Sequence, residues 1–207
     1  MNIRKLKQAE KAFFKLYPGG FNHPEMVALG RKHNMDKMIA LTQESFAKKN
    51  FKTPEMIIAN MIKVISRSSM VSLFEKPKFR DFANSLYPQD RDLLVNGLKK
   101  MLYGKPQQGF EMMLEVLKLG KLAKWSLITI CPTYFRPQTE VFVKPTTVKG
   151  VIEFFELKSL QYNPTPTWAF YNEYRDVINN MKSKVDPGFS PYNAAFSGFL
   201  MMSLQSK

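Results

Sequence analysis

Cysteine is nearly missing from this chain. Cys131 is the single thiol in 207 residues, so no disulfide can close within it, and a reducing compartment fits. Histidine is as scarce, with only His23 and His33. So few Cys and His exclude the clustered ligand sets of zinc sites, and no HExxH or DxD-type pattern accompanies the carboxylates. P-loop and dinucleotide fingerprints are absent too; Gly19-Gly20 follows a predicted helix rather than a strand, the wrong context for a phosphate loop. No metal and no cofactor is therefore expected. Long apolar runs are also lacking, since none approaches the roughly 18–20 residues that span a bilayer. The basic start Met1-Asn2-Ile3-Arg4-Lys5-Leu6-Lys7 is not followed by the apolar core and small-residue cleavage site of a signal peptide. A cytoplasmic location is the expectation.

Acidic residues form the remaining shortage: 17 Asp and Glu face 31 Lys and Arg, for a formal charge of +14. Residues 1–60 carry 11 basic and 5 acidic groups, 61–130 carry 12 and 6, and 131–207 carry 8 and 6. The field thus comes from the first two thirds. An excess of this sign attracts polyanions, nucleic acid first among them, with anionic membrane surfaces and acidic proteins behind.

What the chain has in quantity is apolar and aromatic side chains. Seventeen Phe, eight Tyr and two Trp within a 44% hydrophobic composition supply one sizeable core and argue against disorder. Cys131 follows the apolar Leu127-Ile128-Thr129-Ile130 and precedes Pro132, so a buried structural thiol is expected. A nucleophilic role would need a histidine partner, and both histidines lie about a hundred residues away in sequence.

The punctuation reads as helix. Thr53-Pro54, Thr165-Pro166 and Ser190-Pro191 each pair a capping residue with proline at a first helical position, and His23-Pro24, Tyr87-Pro88 and Lys144-Pro145 are looser versions. Apolar periodicity predicts helices over 3–17, 24–49 (bent or divided at Gly30), 54–66, 88–102, 107–119, 122–130, 144–157, 167–185 and 191–204. Residues 74–80 read as a charged, aromatic loop before a short helix, and Pro132 and Pro137 as an irregular connection. Period-two alternation occurs only over 139–143, too short to found a sheet. The expected fold is all-α: a compact bundle of about nine helices in a single domain, 1–207.

Two segments are candidates for function. Lys118, Lys121 and Lys124 surround Gly120, and Lys99, Lys100 and Lys105 lie on the preceding helix and turn. If those elements are neighbours, the six offer a face for a phosphate backbone, which asks for repeated cations and no special geometry. Trp125 or Tyr103 would stack on a base. The alternative is an ordinary solvated face with Trp125 in the core. The second segment, Thr139 to Thr147, is an extended apolar piece delivering Lys144, Thr146 and Thr147 to a helix start, with Lys149 one turn on. Amide groups there, with the helix dipole, suit an anion, although capping alone also accounts for these residues. The carboxylates suggest structure rather than catalysis: Asp90 and Asp92 complement a helix dipole, while Glu111/Glu115 and Glu153/Glu156 have the spacing of surface ion pairs. Residues 194–202, AAFSGFLMM, are apolar nearly all round, which fits either a central core helix or a surface for a protein partner.

Four stretches, Tyr17-Pro18-Gly19-Gly20-Phe21, Lys124-Trp125 with Thr129, Phe142-Val143-Lys144-Pro145, and Leu160-Gln161-Tyr162-Asn163-Pro164-Thr165-Pro166 with Tyr171, together resemble a prokaryotic family of helical proteins without an established function. They run through most of the chain and bring no catalytic residues. Residues 117–123, LKLGKLA, are more faintly similar to the glycine hairpin of helical DNA glycosylases, with one glycine where that pattern has two. Where the family's catalytic Asp is expected stands Phe142-Val143-Lys144-Pro145, so the likeness implies nucleic-acid binding without the chemistry. The leading expectation is a nucleic-acid-binding protein, most naturally for DNA, working through phosphate contacts. The alternatives are a helical interaction or scaffold protein, and an enzyme with an uncommon site near Lys144, Thr146 and Tyr162.

Overall fold

Every regular element in the computed structural model, which describes residues 1–189 and 191–204, is helical. In chain order these are α1 (Ile3–Leu16), α2 (Pro24–His33), α3 (Met35–Ser45), α4 (Pro54–Arg67), α5 (Glu75–Ser85), α6 (Pro88–Tyr103), α7 (Pro106–Leu119), α8 (Trp125–Phe135), α9 (Pro145–Phe154), α10 (Trp168–Lys182) and α11 (Asn193–Ser203). Proline opens α2, α4, α6, α7 and α9, where its missing N–H costs no bond. The all-α reading stands, with eleven helices among the described residues rather than about nine.

Five boundaries differ from the sequence expectation. The long 24–49 helix is divided at Asn34, not Gly30: Asn34 adopts φ 49°, a left-handed conformation that asparagine tolerates. Residues 75–80 belong to α5, because Pro77 falls in the first turn, where amides are unpaired anyway. Helix α8 continues through Pro132 to Phe135. Beside that interruption the hydroxyls of Thr129 and Thr133 donate to the carbonyls of Trp125 and Thr129, both at 2.7 Å. Helix α10 is capped by Thr167, whose hydroxyl accepts from the Phe170 amide at 3.4 Å, so Thr165-Pro166 precedes it. Pro191 likewise lies outside α11, which begins after Tyr192; Ser190 lies outside the described residues.

One continuous core joins all eleven helices. Its axis is α8, of which every residue from Trp125 to Tyr134 except Ser126 is buried, against α3, α4, α6 and α7. The chain leaving α8 runs without regular structure through Val141, Phe142 and Val143, all buried, and the Val143 amide donates to Thr129 Oγ1 at 3.2 Å. No strand forms among the described residues. Helices α6 and α7 make an antiparallel hairpin whose backbones nearly touch: a Cβ on Gly109 would lie 2.3 Å from the Met101 nitrogen and 2.4 Å from the Gly97 oxygen. Helix α11 has a core face and a groove face. Phe196, Phe199 and Leu200 are fully buried, Phe199 against Phe13 and Phe189 at ring distances of 5.4 and 4.7 Å, whereas Ala194, Ala195, Gly198 and Met201 border a groove.

Candidate nucleic-acid interface

The turn from α7 to α8 is built by a specific helix ending. The Leu122 amide donates to the Leu117 carbonyl at 2.8 Å and the Lys121 amide to the Lys118 carbonyl at 3.0 Å, the paired bonds of a Schellman cap. The left-handed residue this cap needs is Lys121, at φ 54°, and not Gly120. Gly120 has another reason to be glycine: the Phe82 ring of α5 lies on it, 2.5 Å from where a Cβ would stand. Helix α5 also meets the far side of the turn, where Ser126 Oγ donates to Glu75 Oε2 at 2.7 Å.

That packing gathers a surface the sequence showed only in part. Lys118, Lys121 and Lys124 are exposed, and no ion pair engages them among the described residues. Beside Glu75, at the start of α5, Phe74 is 80% and Leu73 78% exposed, and Lys76 and Lys78 follow in the first turn. Lys99, Lys100 and Lys105 are unpaired as well, yet they lie at the opposite end of the α6–α7 hairpin, about 20 Å away along α7 at 1.5 Å per residue. The six lysines are therefore two groups of three. Trp125 is not the stacking residue: it is 2% exposed and its indole N–H donates to the Asn163 carbonyl at 2.8 Å. Tyr103 is 38% exposed, with its hydroxyl on the Phe46 carbonyl at 2.8 Å. An exposed ring, Phe74, stands next in sequence to Glu75, the α5 residue that bonds Ser126.

At the start of α9, no side chain caps the first turn, which leaves the Thr146 and Thr147 amides open. Lys144 and Thr146 are exposed, Thr147 is half-buried, and Lys149 lies over the Tyr162 ring at 5.3 Å. The residues predicted as an anion site are thus adjacent, with one of their cations already held by an aromatic face.

The segment before that helix start carries a polar arrangement that sequence reading missed. Trp168, Tyr171, Arg175, Asn179 and Lys182 recur at three- and four-residue spacing on one face of α10. They hold residues 138–140 rung by rung. Lys182 donates to the Gln138 carbonyl, Asn179 to the Thr139 carbonyl at 2.8 Å, and Tyr171 and Arg175 to the buried Glu140 carboxylate at 2.6 and 3.4 Å. Arg175 also stacks over Trp168 at 5.6 Å. Burial, with the Glu140 charge beside it, holds the Tyr171 hydroxyl well above its ordinary pKa, so it serves Glu140 as a donor. The signal available in the sequence was the α10 periodicity, which carries polar residues where an apolar stripe is usual.

The remaining candidates are structural. Burial pushes the Cys131 thiol up to about 12, and neither histidine meets it: His33 Nδ1 bonds Ser69 Oγ at 2.9 Å and His23 caps α2. Glu156, left-handed at φ 54°, ends α9 as Lys121 ends α7, and pairs with Lys5 at 2.9 Å. No group of three or more His, Cys, Asp or Glu able to hold a metal occurs among the described residues, and none of their helices is long and apolar enough to cross a membrane. The chain matches no family model, no curated protein and no solved structure.

Proposed function

We propose that this chain binds nucleic acid through phosphate contacts, using the α7–α8 turn and the adjoining start of α5. The observation that carries the reading is the exposed, unpaired Lys118, Lys121 and Lys124 on a turn against which α5 packs, with the exposed Phe74 ring preceding Glu75 at the α5 start. Cations track a phosphate backbone and an unburied aromatic face takes a splayed base, the combination by which single strands are held. A helix–turn–helix centred on Gly120 also agrees with the faint glycosylase-hairpin likeness. Lysine rather than arginine predominates in the patch, which suits backbone contact better than bidentate reading of guanine.

Fluorescence anisotropy with labelled single-stranded DNA, duplex DNA and RNA tests this across a salt series. Replacing Lys118, Lys121 and Lys124 by Ala together should reduce the log–log salt slope by about 2 on single strands, at roughly 0.7 per phosphate contact. Phe74→Ala should cost about 1–3 kcal/mol on single strands and little on duplex. Unchanged affinity in both variants removes this surface from the reading.

A further inference from the structure

Two glycines inside helices touch nothing. A Cβ added at Gly30 in α2 or Gly198 in α11 would meet no atom within 4 Å, whereas one at Gly97, Gly109, Gly120 or Gly150 would come within 3 Å of a neighbour. Glycine within a helix costs about 1 kcal/mol relative to alanine, so at Gly30 and Gly198 packing gives no compensation. What the two share is a cavity of about 650 Å³ between α2, the start of α3 and α11, which both border. Met26, Leu29, Met35, Met70 and Met201 supply its apolar walls, and Ala194 and Ala195 continue the small-residue lining.

The cavity is polarised. At one end stand Arg31 and Lys37, exposed and in no ion pair among the described residues. Asp36, the carboxylate in the lining, accepts from the Tyr192 hydroxyl. That bond brings together the starts of α3 and α11, and neither start has a side-chain cap. The positive helix-dipole ends of α3 and α11 meet there the negative end of α2 and the Asp36 carboxylate, and the two cations leave the turn net positive. Met201 lies about 12 Å further along α11 at 1.5 Å per residue, so the groove runs from the cations toward an apolar side chain, and its flexible thioethers adapt to an irregular chain.

From this polarity we infer that the groove is a binding site for a single-chain amphipath with an anionic head, of the long-chain carboxylate class. The chain lies past Gly198 toward Met201, in the space a side chain at either glycine would fill, and the carboxylate sits at Arg31 and Lys37. The volume falls within the roughly 300–1,000 Å³ of small-molecule sites. One localised cationic end, rather than cations along both walls, favours a small head group over an acidic helix from a protein.

Titration calorimetry on the full chain tests the assignment with three probes below their micellar concentrations: dodecanoate, dodecanol and dodecyltrimethylammonium. Dodecanoate should bind saturably at one per chain, with dodecanol weaker by roughly tenfold, the value of one charge-assisted contact, and the cationic probe weaker again. Gly198→Leu should melt no lower than the parent and lose dodecanoate binding; Gly30→Leu is the second blocking variant if Gly198→Leu does not fold. Arg31→Ala with Lys37→Ala should abolish the preference for dodecanoate over dodecanol while retaining dodecanol binding. Undiminished dodecanoate binding in both folded leucine variants overturns the assignment. So does equal affinity for all three probes, or displacement of dodecanoate by a lower concentration of an acidic amphipathic helical peptide, which would give the groove to a protein partner.

Discussion

Lys121 holds a backbone conformation that a lysine occupies at a cost, and replacing it by glycine separates stability from binding. The left-handed region costs an L-residue about 1–2 kcal/mol, and here the conformation is fixed by two cap bonds that any residue at this position would retain. Glycine adopts that φ freely but adds about 0.4–1 kcal/mol of unfolded-state entropy to be lost on folding. The net expectation for Lys121→Gly is stabilisation of about 0.5–1 kcal/mol. For a chain of this size that raises Tm by about 2 °C. The same change deletes one cation from the proposed interface, so the log–log salt slope for single-stranded DNA should fall by about 0.7. Thermal unfolding followed by circular dichroism and anisotropy titrations on the same preparation read both quantities. A variant that melts lower refutes the strain argument; one that melts higher with an unchanged slope refutes the role of Lys121 in binding.

Other expectations follow from the core. Alkaline stability should be flat to about pH 9 and then decline, because Cys131 is raised by burial from 9.0 to about 12, and Tyr134 from 10.0 to about 12. Groups raised in the fold contribute stability that is complete below their unfolded values and is lost as pH climbs through the folded ones, at about 1.4 kcal/mol per pH unit for each group in that window. Cys131→Ala should therefore move the onset of the decline toward pH 10, read from urea unfolding between pH 8 and 11; an unmoved onset contradicts burial of a neutral thiol. Gly109→Ala should destabilise by about 3 kcal/mol or more, since its Cβ would meet backbone at 2.3 Å that cannot step aside; a loss below 1 kcal/mol by denaturant unfolding would deny the close approach. Glu140→Ala should cost about 3 kcal/mol by leaving the largely buried Arg175 uncompensated. A double-mutant cycle with Arg175→Ala should recover part of that loss, and strict additivity would show the pair to be independent.

Helices were legible where proline and periodicity agree, as at Pro54, Pro88 and Pro145, because a residue that fixes φ and lacks a donor acts locally. Asn34 and Pro132 were misread because their outcomes depend on context. An αL asparagine ends a helix only where the next one has something to pack on, and an internal proline is tolerated where a buried helix has nowhere else to go. The lysines around Gly120 were visible as a cluster, but their company was not. Helix α5 meets their turn only because Phe82 finds a glycine to lie on and Glu75 finds Ser126, contacts between residues 38 and 51 positions apart. The Glu140 ladder was overlooked for the opposite reason: its spacing was in plain view on α10, but a mixed polar stripe gives no sign of which chain segment it will hold.

The order in which the two surfaces come into being also follows from the fold. Everything that builds the lysine turn lies between Phe74 and Ser126, centred on an α6–α7 hairpin closed by a two-residue link. The hairpin's own contacts, near in sequence, form quickly, and the α5 contacts close on it without waiting for either end of the fold. The groove has α11 for a wall, and α11 is seated by residues from the other end of the chain, Phe13 among them. On a ribosome the first surface would exist before α11 was made, and the groove would appear only once α11 had followed. Native-state hydrogen exchange should keep that sequence in reverse, with α11 amides opening first and those flanking Gly97 and Gly109 last.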